Sequence, residues 1–309
     1  MNSNGIIAVT GGAGYVGSLL VPALLKAKYR VRVIDNMMYG VDSLLPVLSN
    51  PLLEVVKADV RNSLKKYVAD ADAVIHLAAI SGFPACADNP SAARAINIAA
   101  TQQLIRSLTA KQLLIYASTT SFYGDAPGVS DESSPAKPVS EYGKTKYRAE
   151  QIVMQRPNSI ALRFATLFGV SPRMRVDLLV NDFVRRALYE RYLVLFEADT
   201  KRTFLHVGDA VRAYLLTLQN ADKMIGNAYN VGSEKFNFSK ADIAEAIRDK
   251  TGCVVTKAEI GDFDVRNFET SFAKIQKFGF KPHISLDTGV QELVKLYEFY
   301  QPYPTFHTI

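Results

Sequence analysis

Residues 6–17 read IIAVTGGAGYVG. Four consecutive apolar residues, Ile6 to Val9, have the look of a short buried strand that runs straight into Gly11, Gly14 and Gly17. Tyr15 to Lys26 then carries apolar residues at helical spacing. Strand, tight glycine turn and helix together make an anion site, because unpaired backbone N–H groups and the positive end of the helix dipole face outward there. A pyrophosphate bridge suits such a site. A glycine triplet alone is weak, since glycine turns are common. Here a second strand, Arg30 to Asn36 (RVRVIDN), ends in Asp35, 18 residues beyond Gly17. A carboxylate in that place accepts hydrogen bonds from both ribose hydroxyls of an adenosine and repels a 2′-phosphate. The cofactor expected is therefore NAD rather than NADP.

The strands continue outward from this unit. Leu53 to Asp59 reads as a third strand with Asp59 at the same sheet edge, and Ala71 to Ala79 as a fourth that ends in small residues. A long Ala-rich helix is expected from Pro90 to about Ala110, a fifth strand over Gln112 to Tyr116, a helix over Glu141 to about Gln155, and a sixth strand over Ser159 to Phe164. Strands alternating with helices imply right-handed crossovers and a doubly wound parallel sheet of the Rossmann type, α/β in class, with its ligand crevice at the strand C-termini. Beyond Thr166 the rhythm changes. We expect an NAD-binding domain over 1–166 and a smaller α/β unit over 167–309 for the substrate, with a part around 204–232 returning to the large sheet. In the second unit Asp177 to Tyr189 reads as helical. Asp209, Ser239 and Ser285 are expected to cap helices starting at Ala210, Lys240 and Leu286, and the tail from Tyr297 to Phe306 to strap the core.

Composition narrows the class. With 309 residues and 48% apolar content the chain can bury a sizeable core. It has no uninterrupted apolar run long enough for a membrane span and no signal-peptide pattern at MNSNG, so a cytoplasmic protein is expected. Two cysteines make no disulfide framework, and four scattered histidines have no metal-ligand spacing. The net charge of +6 comes from dispersed Lys and Arg, so an anionic small substrate explains it as well as nucleic acid would.

Tyr142 and Lys146 stand at i and i+4 of the predicted helix and share one face. A neighbouring ammonium favours a phenolate, so Tyr142 can serve as a general base toward a sugar hydroxyl, with Lys146 also holding a ribose hydroxyl. Just upstream, Ala117 to Gly124 gathers hydroxyls at a strand end, one of which could hold the reacting oxygen; Thr-rich turns are also ordinary structural caps. Cys86 is expected near the sugar as a packing residue, not a nucleophile.

TGGAGYVG, VIDN, ADV, HLAA, a Ser/Thr-rich strand end closed by FYG, and YGKTK follow the order seen in the extended short-chain dehydrogenase/reductases. The chain resembles in particular their NAD-dependent sugar-nucleotide epimerase/dehydratase family. That resemblance implies that Gly11, Gly14, Tyr15, Val16 and Gly17 flank the pyrophosphate. Asp35 and Asn36 hold the adenosine ribose, Asp59 and Val60 line the adenine pocket, and Leu77, Ala78 and Ala79 lie along the cofactor. It makes Thr119, Tyr142 and Lys146 catalytic and assigns Thr119, Thr120, Thr166, Arg202 and Arg266 to substrate, though a salt bridge explains either arginine as well. No metal is implied. The partners implied are a nucleotide-sugar substrate and a second copy of the chain, the helices at Pro90 and Glu141 resembling those that pair in family dimers. The departures bear on the reaction. Dehydratases of the family carry Asp-Glu directly after the catalytic Thr, and uronate decarboxylases a Glu two places after it; this chain has Thr120 and Ser121. Thr166 stands where an Asn is usual, and the arginines and Asp177 of SPRMRVDLLVNDFVRRA are expected to shape the sugar pocket. Epimerisation through a transient keto-sugar follows, against reduction of a 4-keto-sugar nucleotide or a catalytically silent NAD-binding regulator.

Overall fold

The computed structural model describes residues 5–259 and 266–301. The aromatic tail past Gln301, and Asp264 and Val265 ahead of Arg266, lie outside them.

Seven strands form one parallel sheet in the order Asn227–Val231, Ser159–Phe164, Leu113–Thr119, Ala73–His76, Ile6–Thr10, Arg30–Asp35, Leu53–Lys57. From Ile6–Thr10 the chain first builds outward on one side and then, from Ala73 on, outward on the other. The strand order therefore reverses between Ile6–Thr10 and Ala73–His76, which opens a crevice at their C-terminal ends. Register brings Thr10 level with Ile34 on one side and with His76 on the other, so Gly11, Asp35 and Leu77 emerge at a common edge.

The period of two along each strand divides the core. Ile7, Val9, Val31 and Val33 face helices Gly17–Lys26 and Val207–Gln219, while Ala8, Ile34, Val74 and Leu114 face helices Ala100–Ser107 and Glu141–Met154. A third apolar cluster, with Phe168, Val184, Leu193, Ile247 and Val290, joins helices Leu179–Tyr189, Lys240–Thr251 and Leu286–Tyr297. Its neighbour is a small sheet in which Lys201–His206 lies between Thr166–Phe168 and Asn237–Ser239.

Several elements differ from expectation. The fifth strand runs three residues past Tyr116, to Thr119, and the chain then makes a short 3-10 turn over Thr120–Tyr123. Asp125–Ser130, which contains Pro and Gly, is a strand because Asn267–Thr270 pairs with it in parallel. The Ala-rich helix ends at Ser107 and widens to a π-helical turn over Ala95–Ala99 around buried Asn97. Helix Val207–Gln219 is capped by His206, whose Nδ1 accepts from Gly208 N at 3.1 Å. Asp209 sits inside that first turn instead, accepting from His283 N and Ile284 N. Ser239 and Ser285 cap their helices as expected, Ser239 through a reciprocal capping box with Asp242.

Candidate active site

A cleft of about 670 Å³ opens at the switch point of the sheet and runs from the glycine turn to the second unit. At its cofactor end Gly11 has φ +70°, and a Cβ there would stand 2.7 Å from Ala78 N. The turn thus lies directly on the end of the fourth strand, leaving a groove floored by main chain. Asp35 is held in place before any ligand arrives: Oδ2 accepts from Ala13 N at 3.1 Å and Oδ1 from Met37 N at 2.9 Å. Burial raises its pKa, and those N–H groups together with the Arg173 charge act in the opposite direction. Asp59 is clamped by Arg61, which lowers its pKa, with a closest contact of 2.6 Å. Asn36, Val60, Leu77, Ala78 and Ala79 line the same wall. A cradle that a Cβ would fill, with a fixed carboxylate beyond it, fits a dinucleotide without a 2′-phosphate.

The glycine turn is also fastened to the second unit. Tyr15 Oη donates to Gly169 O at 2.8 Å, Ser171 Oγ donates to Tyr15 O at 2.6 Å, and the Ser18 and Ser171 hydroxyls are 2.8 Å apart. Tyr15 and Val16 thus line the cleft from a turn that the substrate-side segment locks down.

Ser140 starts helix Glu141–Met154, its Oγ accepting from Gly143 N at 3.0 Å. Tyr142 therefore stands in the first turn, at the positive end of the helix dipole. It lines the cleft together with Thr119 and Ser81. Burial raises its pKa, and the neighbouring hydroxyls of Ser81 and Thr119 and the charge of Arg175 oppose that rise. Lys146 is buried one turn on, with Nζ 4.1 Å from the centroid of the Tyr116 ring. Burial pushes its pKa down to about 7, against the attraction of Glu150. The charge acting on the phenol from outside the helix thus comes from Arg175, a source that helical spacing could not indicate. Glu150 itself accepts from Arg163 at 2.7 Å and from Ser118 Oγ at 2.5 Å, tying the helix to two strands of the sheet. His76, between the hydroxyls of Thr10 and Thr101, is held neutral by burial, with a pKa of about 3. Cys86 is fully buried, and burial pushes its thiol up to about 11, so it is no nucleophile at neutral pH.

At the substrate end Thr166, Arg202 and Arg266 line the cleft, and Arg266 donates to Ser121 Oγ at 2.9 Å. Thr120 does not join them. Its hydroxyl turns inward to Phe164 O at 3.3 Å, because the 3-10 turn points alternate side chains away from the cleft. Sequence reasoning missed Ser81, which lies just past HLAA, and Tyr39, whose ring lies 3.9 Å from the Arg173 guanidinium. Both sit in loops without periodic signal. Of the segment expected to shape the pocket, Arg173, Arg175 and Asp177 line the cleft, whereas Arg185 and Arg186 do not and instead pair with Asp182 and Glu190 along their helix.

A glycine cradle at a sheet reversal, a fixed carboxylate at the end of the second strand and a Tyr-Lys helix over the same cleft define an oxidoreductase of the extended short-chain dehydrogenase/reductase class. Residues 7–232 match the model of the NAD dependent epimerase/dehydratase family, and the chain belongs to that family. Over 319 residues it is 28% identical to an uncharacterised UDP-glucose epimerase of Bacillus subtilis, covering 96% of this chain and 99% of that one. It is 28% identical to UDP-glucuronic acid decarboxylase 1 of Arabidopsis thaliana, covering 93% and 68%. Among solved structures, UDP-glucuronic acid 4-epimerase from Bacillus cereus, in complex with UDP-glucuronic acid and NAD, superposes with a TM-score of 0.86 at 26% identity, covering 95% and 99%. Among the described residues no helix is long and apolar enough to cross a membrane.

Proposed function

We propose that this protein is an NAD-dependent epimerase of a nucleotide-diphosphate sugar, acting by transient oxidation at C4. One observation carries the reading. Tyr142 and Thr119 both line the cleft, while positions 120 and 121, where family dehydratases and decarboxylases place carboxylates, hold two hydroxyls, one turned inward and one bound to Arg266. Neither can serve as an acid or base at neutral pH. Overall identity does not choose the reaction, since an epimerase and a decarboxylase are matched equally well.

In this reading Tyr142 takes the proton of the C4 hydroxyl, with the Thr119 hydroxyl holding the same oxygen. NAD, held by the glycine turn and Asp35, would supply a two-electron acceptor for the C4 hydride and its return. The keto-sugar turns to offer its other face, and Tyr142 returns the proton, so the cycle has no net redox change. Arg202 and Arg266, both buried at the cleft, suit the paired oxygens of a diphosphate. Lys146 holds a cofactor ribose hydroxyl. We place the enzyme in the cytoplasm, in carbohydrate biosynthesis, as a homodimer paired through the Pro90 and Glu141 helices; light scattering at micromolar concentration giving 34.1 kDa would count against the dimer.

The test is incubation with a panel of uridine, thymidine and cytidine diphosphate hexoses and hexuronates. The expected result is an isomer of unchanged mass with no net change in reduced-nicotinamide absorbance, and Tyr142→Phe should abolish it while NAD stays bound. Stoichiometric consumption of NADH or NADPH with a 4-keto-sugar nucleotide, and no isomer, makes the protein a reductase. NAD binding without turnover of any sugar makes it a silent regulator.

A further inference from the structure

Arg173 follows two residues after Ser171, whose hydroxyl bonds Tyr15 O and lies 2.8 Å from that of Ser18. Its own backbone N–H donates to Ser18 Oγ at 3.4 Å, and its Nη1 to Met174 O at 3.3 Å. The residue is only 3% exposed, and its guanidinium lies 3.9 Å from the centroid of the Tyr39 ring. Both side chains line the cleft. Tyr39 comes from the loop after Asp35, and that loop is built to present it. Asp35 Oδ1 accepts from Met37 N, Met37 has φ +59°, and Gly40 N closes a turn on Met37 O at 3.0 Å. Ser43 Oγ then donates to Ala13 O at 2.9 Å and fastens the end of the loop to the glycine turn. The stack of Arg173 on Tyr39 thus joins the segment after LRFATLFG to the loop after the second strand, across the cofactor end of the cleft.

A dinucleotide bound here has its pyrophosphate at the glycine turn and its adenosine ribose at Asp35. Arg173 is anchored at Ser18, in the first turn of the glycine helix, and its charge is felt at Asp35. The guanidinium therefore stands over the interval that the two phosphates span. A planar guanidinium matches paired phosphate oxygens, and a ring against its face fixes its plane without using its N–H groups. Burial strengthens the attraction, because little water is left to screen it. We propose that Arg173 binds the cofactor pyrophosphate from the substrate-side segment, with Tyr39 as the positioning residue that holds the guanidinium plane. The clasp serves NAD and not the sugar, so it stands whatever the sugar panel yields.

The experiment is equilibrium titration of the nucleotide-free full chain with NAD and ADP by calorimetry, and with adenosine by ligand-observed NMR. Arg173→Gln should weaken NAD and ADP by roughly 10–150-fold, the worth of a charged hydrogen bond, and leave adenosine within about twofold of wild type. Tyr39→Leu should weaken ADP less than Arg173→Gln does, and Tyr39→Phe should match wild type, since the ring and not the hydroxyl carries the stack. In an Arg173→Gln background Tyr39→Leu should cost ADP nothing more. An arginine present only to offset the Asp35 charge would alter adenosine, whose ribose that carboxylate receives, as strongly as ADP. That result overturns the proposal, as does an ADP affinity unchanged in Arg173→Gln. Should Arg173→Gln fail to fold by circular dichroism, Tyr39→Leu decides alone, and a ratio of ADP to adenosine affinity equal to that of wild type then refutes the clasp.

Discussion

Gly17→Ala tests whether the glycine turn is a ligand cradle or only a tight corner. A Cβ at Gly17 would stand 2.5 Å from Gly12 O, 2.6 Å from Gly11 O and 2.6 Å from Gly12 C. All three are backbone atoms of the turn, so none can swing aside as a side chain would. Reaching the 3.4 Å at which ordinary contact begins means moving the turn by about 0.9 Å against the helix. Overpacking of this kind costs about 1–3 kcal/mol. The same displacement carries N–H groups of the turn out of hydrogen-bonding range of a bound pyrophosphate, and one charged hydrogen bond lost is worth about 1.5–3 kcal/mol. NAD should therefore bind roughly 10–150-fold more weakly, and the unliganded protein should melt a few degrees lower. Isothermal calorimetry with NAD and a thermal melt read the two effects separately. A dissociation constant and melting temperature both within twofold and one degree of wild type would refute the clash and the cradle together.

Two other expectations follow from fixed polar groups. Because Asp35 is oriented by Ala13 N and Met37 N before ligand binds, NAD(H) should bind far more tightly than NADP(H), and Asp35→Ser should narrow that gap; equal affinities in wild type would sink the assignment. His76 has a folded pKa of about 3, so between there and its ordinary value near 6.5 the unfolded chain binds the proton and the folded one does not. Its contribution to stability is complete above about pH 6.5 and is lost as pH falls, by roughly 3 kcal/mol at pH 4. Denaturant melts of His76→Gln should accordingly show a shallower loss from pH 6.5 to 4 than wild type, and parallel slopes would disprove it.

The parallel sheet and its cofactor edge were legible because their signals are local. A glycine turn must follow its strand within a few residues, Asp35 must end the next one, and Tyr142 and Lys146 meet across one helical turn whatever the remainder of the chain does. What escaped depends on partners far away in sequence. Asp125–Ser130 has no strand pattern of its own and exists through its pairing with Asn267–Thr270. Thr120 reads as one more hydroxyl of a cluster until the 3-10 turn fixes which members face the cleft. His206 displaces Asp209 as a cap because the carboxylate is engaged by backbone N–H groups more than 70 residues later. Spacing alone suggests an electrostatic pairing of Tyr142 with Lys146, whereas burial draws the ammonium onto the Tyr116 ring, and Arg175, from a segment distant in sequence, lines the same cleft as the phenol.

The seam of Tyr15, Ser18, Gly169 and Ser171 gives the enzyme a kind of privacy. On the reading proposed above, a dinucleotide held by the glycine turn would leave more slowly the longer those hydrogen bonds stay made, so its exchange would follow their breaking more than the amount of NAD or NADH in solution. For the proposed epimerase, slow exchange would keep the cofactor's oxidation state apart from the metabolic redox balance, which suits a reaction that neither gains nor loses electrons. The same isolation has a cost when a turnover miscarries. In the same reading, a keto-sugar that escaped midway would take the oxidising equivalents with it and leave the cofactor reduced until it exchanged.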